Sequence, residues 1–105
     1  MKDPWQVTGT TATHGDNHAV APSNAGAQTT YILDKIVAAL RALGAGPCHV
    51  VRTRIYLIDA DDCEAVSIAH GRFFGEHPPA NTLLQVARLI GPYQVEIEAE
   101  AVLPT

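Results

Sequence analysis

The stretch VEIEAEAV at 95–102 alternates apolar and acidic residues without a break. A period of two belongs to an extended strand, whose successive side chains point to opposite faces. Val95, Ile97, Ala99 and Ala101 therefore share one face, and Glu96, Glu98 and Glu100 share the other. The apolar face needs a covering layer, and three carboxylates in a row need water or cations beside them. Any fold for this chain has to supply both.

The other elements are read outward from that strand. HVVRTRIYLID at 49–59 is a β-branched run and predicts a second strand. Alternation puts Val51, Thr53, Ile55 and Leu57 on one side, with Val50, Arg52, Arg54, Tyr56 and Ile58 on the other. Neither side is simply polar, so both are expected to be covered. WQVTGTT at 5–11 predicts a strand in which Gly9 marks a bulge or a close approach to the backbone. HGDNHAVAPSN at 14–24 is turn chemistry throughout.

A helix then starts at Ser23 or Asn24 as cap and carries Ile32, Ile36, Leu40 and Leu43 at steps of three and four. Gly44 and Gly46-Pro47 end it. Asp59 or Asp61 caps a second helix, with Asp62 and Glu64 in its first turn, Ala65, Ile68, Ala69 and Phe73 as its apolar stripe and Gly75 as its stop. Strands at 81–89 and 94–102 flank the turn Gly91-Pro92. The order is β-α-β-α-β-β, an α+β fold with two helices on one face of a mixed sheet.

A chain of 105 residues makes one domain. Its 47% hydrophobic and 17% charged residues leave more apolar surface than so small a body covers alone, and the second sheet face is expected to be half apolar. Self-association into a homo-oligomer is the expected cover. The net charge of −4, from 7 basic and 11 acidic residues, works against nucleic-acid binding by counterion release. No apolar run approaches the roughly 20 residues of a membrane span, and MKDPW has no signal-peptide core, so the cytoplasm is the expected location. Cys48 and Cys63 form neither a metal-ligand spacing nor a disulfide framework.

Four groups are candidates for chemistry. His14 and His18 have a spacing that binds metal on a helix, but Gly15 and Asp16 make the segment a turn, and no metal is expected. Arg52 and Arg54, with Arg88, suit an anion or RNA-phosphate site, or cross-strand pairs with Glu96, Glu98 and Glu100; three cations against three acids favour pairing. One of those glutamates, at a cleft edge, can hold a water as general base. Asn81 follows the stiff Pro78-Pro79 turn at a strand mouth. Its amide donates two hydrogen bonds and suits a carbonyl or carboxylate.

In combination, GTTAT, AQTTYILDKI, VVRTRIYLID, AHGRFFGEHPPA, LLQVARL and QVEIEAEAV resemble the RidA/YjgF family of reactive-intermediate deaminases, also labelled L-PSP endoribonucleases. The resemblance runs from about Trp5 to Val102. It implies a chorismate-mutase-like fold, homotrimers whose sheets line a central barrel, and small-molecule clefts between subunits. It also implies hydrolysis of enamines and imines, such as 2-aminoacrylate, to 2-keto acids and ammonia without a cofactor.

By position, the family glutamate that places the attacking water is Glu96. The family arginine that grips the substrate carboxylate is replaced by Asn81. Leu83 stands where cysteine is frequent, Ser67 where some members have asparagine, and Thr8-Gly9 at the cleft-lining Ser-Gly. The family's usual opening strand and cleft tyrosine are expected to be absent or truncated. A small-molecule hydrolase, a non-catalytic sensor and an endoribonuclease are the functions this resemblance offers. The acidic balance disfavours the last.

Overall fold

The computed structural model describes the backbone of residues 4–10 and the whole of residues 19–103. The His14 and His18 pair lies outside the described residues. The elements are β1 (Pro4–Thr10), α1 (Ala25–Ala42), β2 (Val50–Leu57), α2 (Cys63–Phe74), β3 (Ala80–Gln85) and β4 (Val95–Val102). Short 3-10 turns at Pro47–His49 and Ala60–Asp62 lead into β2 and α2. Chain order is β-α-β-α-β-β, as the sequence patterns require.

The sheet order is β1-β4-β2-β3. β4 runs antiparallel to both neighbours, and β3 is parallel to β2 through the α2 crossover. β1 and β3 are therefore the two edges. Both helices cover one face: Ile32, Leu33, Ile36 and Leu40 of α1 and Val66 and Phe74 of α2 close over Ile55, Leu57, Val95, Ile97 and Ala99.

Local chemistry sets the helix ends. Asn24 Oδ1 accepts the Ala27 N–H at 2.9 Å, relieving one of the unpaired donors of the first turn. At the other end Gly44 takes φ +81°, and the N–H groups of Gly44 and Ala45 donate to Arg41 and Leu40. That is the paired closure of a glycine-terminated helix. Leu43 sits at the cap position, 42% exposed, and is not part of the buried stripe. Asp59 caps the 3-10 turn that runs into α2, accepting the Asp61 N–H, and Asp62 at the helix cap position makes no side-chain bond.

Gln28 is fully buried and ties three segments together. Its Nε2 donates to Ala21 O at 3.2 Å, and its Oε1 accepts the Gln94 N–H at 2.9 Å. A buried amide keeps such a position only if its polar atoms are paired. No buried side-chain nitrogen or oxygen lacks a partner among the described residues.

Four expectations change. First, β2 slips by one residue against β4 between Val50 and Arg52. Two residues then oppose one, as in a bulge, and the alternation reverses there. Val50 is buried, Val51 is 45% exposed, and Thr53, Ile55 and Leu57 point inward. Second, β3 stops at Gln85, not at 89, because its partner β2 stops at Leu57. The Val86 N–H donates to Leu57 O, and beyond it the chain loops through Gly91, with φ +96°, to β4. Arg88 lies on that exposed loop and joins no ladder.

Third, the buried stripe of α2 is Val66, Ala69 and Phe74, with Phe73 half-buried and Ala65 and Ile68 exposed. So many positions of this helix are apolar that periodicity fits two phases equally. Fourth, Val50 and Ile58 leave the open sheet face, because the bulge turns Val50 inward and Ile58 lies past the strand end. The middle of that face carries Arg52, Arg54, Tyr56, Glu96, Glu98 and Glu100 in paired rows, and Leu84, opposite Tyr56, is exposed beside them.

Candidate functional site

Polar side chains gather at two places on the sheet, one on each face. On the open face the ladder sets Arg52 opposite Glu100, Arg54 opposite Glu98 and Tyr56 opposite Glu96. The contacts run one step diagonally. Arg54 Nη1 bonds Glu100 Oε1 at 3.0 Å, and the Tyr56 hydroxyl donates to Glu98. Diagonal neighbours at this spacing lie within reach of long side chains. The hydrogen bond to Glu98 holds the Tyr56 phenol above its ordinary pKa, with burial adding to the effect, so the hydroxyl stays a donor. Arg52 turns the other way and donates to Thr82 Oγ1 at 2.6 Å.

That pattern leaves Glu96 over. It is half-buried, and no hydrogen bond or ion pair reaches it among the described residues. The expected charge pairing therefore holds for Arg54 and Glu100. It does not extend to three pairs.

On the helix-covered face, at the β3 edge, Thr53 links Asn81 to His70. The Thr53 hydroxyl donates to Asn81 Oδ1 at 3.0 Å and lies 2.9 Å from His70 Nε2. A hydroxyl has one proton to give. Since it goes to Asn81, the imidazole must donate from Nε2, and the Asn81 amide nitrogen is left pointing away from Thr53. Thr53 is fully buried, Asn81 exposed and His70 half-buried. The His70 ring leans on Phe74, with centroids 4.7 Å apart. Burial lowers the His70 pKa, which favours the neutral ring.

His70 is the site residue that sequence reasoning misses. It lies within AHGRFF, and only the placing of α2 over β2 brings it to Thr53.

The other candidates are dispersed. Ser67 is exposed on α2, one turn before His70. Leu83 packs against the core beside Ile55, not in an open cleft. Thr8 and Gly9 lie at the other edge, where β1 shifts register against β4 between Val7 and Thr10, in keeping with the bulge expected at Gly9. The Thr8 side chain is outside the described residues.

Asn81 and Glu96 do not meet within one chain. Asn81 pairs with Thr53, and Thr53 with Ala99, two strands away and three residues from Glu96. At sheet spacings that is about 14 Å between backbones, with the side chains on opposite faces. Arg52 and Arg54 share the face of Glu96, so within one chain neither stands beside Asn81. Three surface clefts, of about 660, 390 and 470 Å³, lie elsewhere and are lined by neither Asn81 nor Glu96. No cluster of metal-ligating residues occurs among the described residues, and no helix among them is long and apolar enough to cross a membrane.

Comparisons with known proteins follow the same outline. The family model described as Endoribonuclease L-PSP matches residues 3–103. A RutC family protein of Synechocystis is 39% identical over 83 residues, covering 78% of this chain and 64% of that protein. The 2-iminobutanoate/2-iminopropanoate deaminase of Escherichia coli K12 is 34% identical over 84 residues, covering 77% of this chain and 66% of that protein. The chain thus spans somewhat under two thirds of the length of these relatives. A crystal structure from Mycobacterium tuberculosis, of a YjgF/YER057c/UK114 family member, superposes with a TM-score of 0.83 at 36% identity. That likeness covers 98% of this chain and 81% of the other.

Proposed function

The chain belongs to the Endoribonuclease L-PSP family, which takes in the RidA/YjgF proteins, and on that premise we propose that it is a cofactor-independent hydrolase of small enamine or imine intermediates. It acts in a cleft between subunits of a homotrimer. Asn81 of one subunit binds the carbonyl or carboxylate end of the ligand, and Glu96 of a neighbour holds the attacking water. Thr8, Gly9 and Ser67 line the cleft, and Leu83 backs it.

An enamine first tautomerises to the imine. Glu96 then accepts a proton as water adds to the imine carbon and returns it to the nitrogen. The hydroxyl gives up its proton as it becomes the keto group, the carbon–nitrogen bond breaks, and ammonia leaves. Splitting the work between subunits is consistent with the two residues lying about 14 Å apart on opposite faces of one sheet. One small molecule cannot touch both in a single chain.

The observation that carries the reading is that, among the described residues, Glu96 alone of the three ladder carboxylates is left unbonded, while Glu98 and Glu100 are held by Tyr56 and Arg54. A carboxylate committed to a salt bridge is a poor base, and Glu96 is not so committed. The acidic balance of the chain argues against RNA as the substrate.

The test is release of keto acid and ammonia from freshly generated 2-aminoacrylate. Wild type is expected to turn over, and Glu96→Gln to lose at least a hundredfold, the usual worth of a general base. A Glu96→Gln protein as active as wild type contradicts the assignment. A native mass near three chains of 11.2 kDa is expected alongside.

A further inference from the structure

We infer that Thr53 and His70 are positioning residues that lock the Asn81 carboxamide with its N–H groups toward the ligand, making this subsite selective for a neutral carbonyl over a carboxylate. This rests on the proposed cleft and specifies what it takes.

The argument begins with proton counting. Asn81 is exposed, and a free carboxamide there would present its oxygen or its nitrogen with similar ease. It is not free. The hydroxyl of fully buried Thr53 donates to its Oδ1 at 3.0 Å, which turns the NH₂ group away from the protein. Thr53 in turn needs a donor for its own oxygen, and His70 Nε2 stands 2.9 Å off. The ring is held by Phe74 at 4.7 Å, so the donor cannot wander. The relay His70, Thr53, Asn81 has one consistent direction, and it ends in two outward N–H donors.

Two N–H donors without a charge suit an amide, ester or ketone oxygen. They suit a carboxylate poorly, because an anion entering a cleft loses hydration that a neutral amide does not return. No lysine or arginine is bonded to this group among the described residues. Within one chain Arg52 and Arg54 lie on the opposite face, and in the neighbour whose Glu96 completes the cleft both guanidinium groups are already engaged, with Thr82 and Glu100. The better-fitting ligand therefore carries a carboxamide or ester beside its reacting carbon, and 2-aminoacrylate, with a carboxylate there, is the weaker substrate.

The test uses pyruvamide and pyruvate as paired probes, a neutral and an anionic keto compound of one shape. Binding is followed by NMR on the side-chain amide of Asn81 in the full-length protein. Wild type is expected to bind pyruvamide about tenfold more tightly than pyruvate, with the Asn81 NH₂ signals shifting. Thr53→Val, which keeps the shape and removes the hydroxyl, is expected to lose about tenfold for pyruvamide, the worth of one hydrogen bond. Thr53→Ser restores it, and Asn81→Arg reverses the preference.

Pyruvate bound as well as pyruvamide, or no response of the Asn81 amide to either, overturns the inference. So does a Thr53→Val protein that is folded and keeps wild-type affinity and preference. The readout is binding, so a protein that selects pyruvamide yet hydrolyses nothing refutes the hydrolase reading alone.

Discussion

Gln28→Met isolates the hydrogen bonds that tie α1 to the start of β4. The two side chains are close in volume, so the substitution removes polar contacts without opening a cavity. Gln28 makes two such contacts, to Ala21 O and from the Gln94 N–H. Each contributes about 1 kcal/mol net, and a backbone N–H left unpaired where water enters poorly costs about 1–3 kcal/mol. Methionine returns about 1 kcal/mol through its apolar atoms. The expected loss is about 2–4 kcal/mol.

Urea unfolding at fixed protein concentration measures it, since an oligomer's stability depends on concentration. The midpoint should fall with the slope unchanged. Gln94 lies two residues before Glu96, so the same variant is expected to lower turnover by loosening the start of β4. A stability change below about 0.5 kcal/mol, the scatter of ordinary surface substitutions, refutes the reasoning.

Two further outcomes are expected. Gly44→Ala should destabilise by about 1 kcal/mol in the same unfolding assay, because φ +81° is strained for a side-chain-bearing residue although open space surrounds the site. The His70 pKa is lowered by burial from the ordinary 6.5, so the unfolded chain binds the proton first as pH falls. Stability is then lost progressively below about pH 6.5 until the folded-state value is passed, and His70→Gln should shrink the difference between urea midpoints at pH 7.5 and 5.5.

Much of the fold is legible in the sequence, because its signals are short-range. The Val-Glu alternation, the Asn24 cap and the Gly44 stop each act within a few residues, and each appears as read. The parts that are not legible depend on a partner. Val50 and Val51 are both β-branched, so nothing local says that a bulge falls between them and Arg52. The length of β3 is set by where β2 ends. Glu96 and Asn81 are each visible as candidates. Their separation, on opposite faces and two strands apart, follows only from the sheet order. His70 gains its meaning from Thr53, seventeen residues earlier and on another element.

The most direct test of the central claim is subunit complementation. Asn81→Asp and Glu96→Gln proteins are each expected to be inactive on 2-aminoacrylate. Unfolded together in equal amounts and refolded, they should recover about one quarter of wild-type activity, because a random pair of neighbours supplies both native residues in about one case of four. A mixture as inactive as its components, with mixed trimers confirmed by native mass after one variant is uniformly labelled with nitrogen-15, contradicts a cleft shared between chains.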